Sequence, residues 1–145
     1  MPRLDAERIA LLRSLSSTTV SINRQIDESL MDEFDLPLAW FEVMAALQRN
    51  GGSLRVSDLC RELDELPSSL SRRLDRMVES DLVERQASPL PTDRRAVTVH
   101  LTREGRSFWR DANVVYRRAV QRSFAQVVTD SDIVALQRLL AKLSR

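Results

Sequence analysis

Cysteine, histidine and glycine are almost missing from this sequence, and each shortage excludes something. One cysteine, Cys60, cannot close a disulfide within its own chain. One cysteine and one histidine, His100, make no metal-ligand cluster, so no metal and no cofactor is expected. Three glycines leave no phosphate loop and no nucleophile-elbow motif. No catalytic residue is therefore assigned, and an enzyme is not expected. With only five prolines besides, few residues break helices, and long helices should result. No run of about 18 apolar residues exists to span a membrane. The stretch MPRLDAERIALLRSL mixes acids with bases and lacks an apolar h-region, so it does not read as a secretory signal. The expected location is the cytoplasm.

What is present is charge, unevenly placed. The formal net charge is only +1 over 145 residues, the length of one domain. Residues 1 to 65 nevertheless carry 7 bases and 12 acids, whereas residues 66 to 110 carry 9 bases and 6 acids, and residues 111 to 145 carry 6 and 3. Every base except Lys142 is arginine, a bias that a GC-rich genome produces without functional cause. Basic charge gathers in the second half of the chain, around one hairpin.

Periodicity places the elements. Residues 5 to 31 read as a helix with Ile9, Leu12, Ile22, Ile26 and Leu30 on its apolar side. A second runs from about Leu38 to Gln48, with Pro37 in its first turn and RNGG at 49 to 52 ending it. A short third helix follows Ser57, a candidate N-cap, and a fourth spans about Pro67 to Ser80. LVER at 82 to 85 and AVTVHL at 96 to 101 read as two strands. Thr102 can cap a long fifth helix that carries Phe108, Ala112, Val115, Ala119 and Phe124. Thr129 and Asp132 form a capping-box-like pair ahead of a last helix with Ile133, Leu136, Leu140 and Leu143. The fold class is mainly α, a winged helix–turn–helix: three helices plus a two-stranded β-wing, flanked by N- and C-terminal helices.

The fourth helix is amphipathic in a way that suggests DNA. Leu66, Leu70, Leu74 and Met77 share one arc, with Val78 at its edge. Opposite lie Ser69, Arg72 and Arg76, flanked by Ser68 and Arg73. Short hydroxyl residues let the backbone approach base edges, and arginines reach guanine or phosphate. In the hairpin, Val97, Val99 and Leu101 alternate inward, while Thr98 and His100 face outward. The tip holds Arg94 and Arg95 beyond the packed strands, where two like charges repel and gain no packing. A polyanion beside the tip accounts for them, through a minor groove or phosphate contacts. Asp75 and Asp93 are candidate wing anchors, with an Asp75–Arg95 pair as one way to fix the wing's angle.

Four stretches then carry a resemblance: LPLAWFEVMAAL, VSDLCREL, SSLSRRLDRMVESDLVER and PTDRRAVTVHLTREGR. In this order and spacing they are similar to the MarR family of bacterial transcription regulators, over residues 36 to 110. One departure is Asp81, where the family usually has glycine; the position commonly needs positive φ, which Asp tolerates. The resemblance implies a homodimer bound to pseudo-palindromic operator DNA, dimerising through its first and last two helices. The division expected is a dimerisation helix at 1–34, a DNA-binding lobe at 35–106 and dimerisation helices at 107–145. The pattern agrees: residues 5 to 31 and 107 to 143 carry apolar stripes too long for a small lobe to cover, and a twofold copy is the commonest cover.

The function expected is that of a ligand-responsive repressor. Its partners are double-stranded DNA, a second copy and a small aromatic or phenolic acid as effector. The resemblance implies a crevice between arms and lobe for such an acid, with Ile22, Ile26, Trp40, Phe41 and Met44 as candidate lining and Arg24 as candidate carboxylate partner. Two alternatives stand beside this: a winged-helix protein-interaction module without DNA binding, and a redox-responsive regulator acting through Cys60. Asp58, Glu62 and Asp64 make a poor setting for a sensor thiol, which favours a buried structural Cys60.

Overall fold

The computed structural model describes residues 4–87 and 96–144. Six α-helices and three strands run in the order α1 (Ala6–Phe34), α2 (Leu38–Arg49), β1 (Ser53–Arg55), α3 (Val56–Leu63), α4 (Pro67–Glu79), β2 (Val83–Ala87), β3 (Val97–Leu101), α5 (Arg103–Val120) and α6 (Asp130–Leu143) among the described residues. A π-helical turn, Gln121–Ala125, extends α5.

Local chemistry sets the boundaries. Asp5 caps α1 by accepting the Arg8 amide at 2.8 Å, and Asp35 ends it in the left-handed region at φ 50. Pro37 lends α2 no side-chain cap, so Asp27 on α1 accepts the Leu38 amide instead at 2.8 Å. That bond ties the end of α1 to the start of α2. Thr102 caps α5 through the Gly105 amide, and Thr129 with Asp132 closes a full capping box on α6. Asp81 adopts φ 58, the turn for which the resemblance expects glycine.

Four expectations need correction. The sheet has three strands in the order β1-β3-β2, all antiparallel, not two. The missed strand is three residues long and set up by Gly51 and Gly52, both at positive φ; so short a run shows no alternation to read. The third helix begins at Val56, with Arg55 at the cap position and no side-chain cap, so Ser57 is inside the helix rather than ahead of it. Leu66 is 72% exposed rather than in the core, because it stands before α4 in extended conformation. His100 is not a free wing residue. It sits on the central strand between Ser53 and Glu84, with Nε2 buried and without a hydrogen-bond partner among the described residues.

The core joins Ile26 and Leu30 of α1, half of α2, Leu59 and Cys60 of α3, Leu70, Leu74 and Met77 of α4, Val99 and Leu101 of β3, and Ala112, Val115 and Ala119 of α5. Gly105 lets α5 start hard against Leu82, just before β2. A Cβ there would lie 2.0 Å from the Leu82 carbonyl oxygen, which is backbone and cannot yield.

Candidate nucleic-acid interface

The helix α4 is held from below and open above. Leu70, Leu74 and Met77 are fully buried, and Pro67 starts the helix where its missing N–H costs nothing. Ser68, Ser69, Arg72 and Arg76 are exposed. The guanidinium groups of Arg72 and Arg76 take no hydrogen bond or ion pair among the described residues.

Arg73 is different. Its guanidinium donates to both carboxylate oxygens of Glu65, at 2.8 Å each, and the side chain is only 17% exposed. A bidentate fork of this kind is geometrically demanding and strong for an ion pair. The expectation that Arg73 enters a major groove with its neighbours is corrected accordingly: it ties α4 to the turn after α3. One residue of phase separates it from Arg72, and the wheel alone placed it at the flank.

The wing is braced to the same helix. Arg85 on β2 donates to Asp75 at 2.6 Å and to the Ser71 carbonyl at 2.7 Å. Asp75 thus contacts β2 through Arg85. Asp93, Arg94 and Arg95 lie outside the described residues, as does any Asp75–Arg95 pair. The strands that lead to the tip are fixed by β2 pairing with β3 from Val83↔Leu101 to Ala87↔Val97.

A sequence model of the MarR family matches residues 34–96. Over 106 residues the chain is 31% identical to the HTH-type transcriptional regulator PecS of Dickeya dadantii (strain 3937); the match covers 72% of this chain and 62% of PecS, less than two thirds of that protein's length. A mutant of MarR from E.coli, complexed with operator DNA, is 26% identical with a TM-score of 0.81, covering 98% of this chain and 99% of that one. The chain is a MarR-family match over residues 34–96 and shares the fold of a MarR protein over nearly its whole length. Sco3205, a MarR family transcriptional regulator from Streptomyces coelicolor in complex with DNA, shares the fold: the TM-score is 0.88 at 22% identity, over 99% of this chain and 90% of that one.

Other residues of this chain fall less neatly. The candidate crevice residues do not form one pocket. Ile26, Phe41 and Met44 are buried core, Ile22 and Trp40 are half-buried against it, and Arg24 is exposed on the far side of α1 in a groove with Leu12, Arg13, Ser16, Ser17 and Val20. The correction follows from helical phase: Arg24 is two residues from both Ile22 and Ile26, on the opposite face of α1. Cys60 is buried, which withdraws support from a redox role. No helix among the described residues is long and apolar enough to cross a membrane.

Another cavity among the described residues lies between α2, α3 and α5. It holds about 370 Å³ and is lined by Phe41, Glu42, Ala45, Arg49, Glu62, Leu63, Trp109, Asn113 and Tyr116. Phe41 and Tyr116 stack with centroids 4.4 Å apart. Among these, Phe41 is the one that the sequence offers as a crevice residue. Glu42, Glu65, Arg85 and Trp109 were missed, because each matters through a partner distant in the chain.

Proposed function

We propose that this protein is a MarR-family transcription regulator that binds pseudo-palindromic duplex DNA as a homodimer, represses there, and responds to a small ligand. The observation that carries the reading is the outer face of α4: two serines at its start, then two arginines without partners among the described residues, on a helix locked from three sides. A basic face held rigidly, with small residues at its N-terminal end, suits a major groove. Ser68, Ser69, Arg72 and Arg76 are the proposed base-side and phosphate contacts. Arg94 and Arg95, in the segment of sequence between β2 and β3, are the proposed contacts in the adjacent minor groove.

The homodimer is supported by what the chain leaves uncovered. α6 has no buried residue, and Ile133, Val134, Leu139, Leu140 and Leu143 are 41–64% exposed. On α1, Leu11, Leu12 and Val20 are 57–65% exposed. A second copy that covers these stripes places two α4 helices on one duplex, about 10 base pairs apart.

The test is a mobility-shift titration against genomic fragments at several salt concentrations. Specific binding at about 10⁻⁸ to 10⁻¹¹ M near physiological salt, over a twofold-symmetric footprint, is expected. Protein that ignores duplexes even in dilute buffer overturns the reading.

A further inference from the structure

We propose that Leu66 is a specificity-determining residue of the DNA interface and reads the C5-methyl group of one thymine in each half-site. The inference rests on the DNA-binding reading above and deepens it, from duplex DNA in general to one base of the operator.

Leu66 serves neither the core nor the helix it precedes. Its side chain is 72% exposed. A single exposed leucine is ordinary, but this one occupies the N-cap position of α4, in extended conformation at φ −75 and ψ 143. A serine, threonine, aspartate or asparagine there accepts a first-turn amide. Leucine cannot, and α4 starts with no side-chain cap. Asp5, Thr102 and Thr129 supply that bond to α1, α5 and α6. At α4 the chain forgoes the cap and shows an apolar group to solvent instead.

The residue is also held in place from both sides. Before it, the Glu65 carboxylate accepts two bonds from the Arg73 guanidinium on α4, at 2.8 Å each. After it, the Pro67 ring restricts φ at the first helical position. A side chain carried on so constrained a backbone gives up little further freedom when a partner covers it.

Its position names the partner. Leu66 and Pro67 are both exposed and run directly into the exposed Ser68 and Ser69, at the end of α4 that the DNA-binding reading puts into the major groove. Among the four bases only thymine carries an apolar substituent in that groove, its C5-methyl; the other base edges are told apart by donors and acceptors. Serine hydroxyls and the guanidinium groups of Arg72 and Arg76 read donors and acceptors. Leu66 adds the one feature they do not recognise, and covering it with a methyl removes apolar surface of both from water.

The experiment takes the full chain and the duplex that it enriches from a random-sequence pool. Each thymine of that duplex is replaced in turn by deoxyuridine, in both half-sites together, which removes the methyl and nothing else. At one thymine per half-site the parent protein should lose roughly 10- to 20-fold in affinity, about fourfold for each methyl. Leu66→Ala should bind the thymine duplex more weakly than the parent does, and lose less than about twofold more on that deoxyuridine duplex. Leu66→Ser, whose hydroxyl can cap α4, should melt about 2–4 °C higher than the parent. An enriched duplex that is indifferent to every replacement, or holds no thymine to replace, overturns the proposal. So does an equal deoxyuridine loss in Leu66→Ala, which gives the methyl to another residue. A lower melting temperature in Leu66→Ser gives Leu66 a part in the fold and overturns it too. Enrichment without a methyl effect removes Leu66 and leaves the regulator; a pool in which nothing is enriched removes both.

Discussion

In α4, Leu70, Leu74 and Met77 recur at helical spacing and are fully buried; in α6, Ile133, Leu140 and Leu143 recur in a similar way and are 42%, 48% and 64% exposed. The two stripes look alike in sequence. The lobe buries the first in its core, whereas nothing among the described residues buries the second. Helical periodicity identifies the face that needs burial but not the molecule that buries it. The same contrast divides α1 internally: Ile26 and Leu30 are in the core, while Leu11 and Leu12, four turns earlier, are 63% and 65% exposed.

The strongest way to break this comparison is to make the arms soluble on their own. Leu12→Asp with Leu140→Asp alters only exposed positions, so the lobe should keep its helical circular dichroism. A monomer in sedimentation is expected, and operator affinity should fall by about 10²- to 10⁴-fold as two linked half-site contacts become one. A variant that stays dimeric would assign the stripes to something other than a second copy. The matching change in the lobe, Leu74→Ala, removes a side chain that is fully buried. It should cost about 2–5 kcal/mol in denaturant unfolding at fixed protein concentration, with the oligomeric state unchanged until unfolding begins.

The comparison also explains what could be read in advance. Strongly periodic helices, the Thr102 and Thr129 caps and the Asp81 turn each rest on residues within four positions of one another, and these were legible. Strand β1 was not, since three residues carry no pattern and its partner, β3, lies over forty residues on. The site followed the same rule. Outward-facing Arg72 and Arg76 came from the wheel, but the capture of Arg73 by Glu65 and of Asp75 by Arg85 depends on how a turn and a strand approach α4. The crevice failed for want of the relation between α1 and α2. Arg24 shares a stretch of sequence with Ile26 and not a face.

Within the lobe, the neighbours Arg72 and Arg73 sharpen the contrast between outward and inward. Arg72→Ala or Arg76→Ala should cost about 1–3 kcal/mol on the correct operator if the side chain reads a base, with unfolding unaffected. Equal losses on all sequences would assign it to phosphate. Arg73→Ala should show the reverse emphasis: lower stability, and operator affinity lost only as α4 loosens. Arg94→Ala should weaken specific and random DNA alike and flatten the salt slope by about one unit. An unchanged slope would remove the wing tip from the interface.

The smallest effect separates arm from lobe by pH. Asp132, at the start of α6, has its carboxyl held below its ordinary 3.8 by the Thr129 amide and hydroxyl. The folded state therefore favours its charged form; that contribution is present above the ordinary value and is lost as pH falls below it. Glu42 runs the other way. Its carboxyl is raised above the ordinary 4.5, chiefly by burial, so the folded chain keeps a proton that the unfolded chain releases. Stability should decline as pH rises from 4.5 through the raised value, and stay reduced beyond it. Thermal melts across pH 3 to 8 should then show Asp132→Asn flattening the acid limb, and Glu42→Gln removing the decline on the other side and melting slightly higher near neutrality. If Glu42→Gln instead melts lower at neutral pH, Glu42 is already balanced by Arg49 and Arg73, and the lobe holds no unpaired carboxylate to contrast with the satisfied one in the arm.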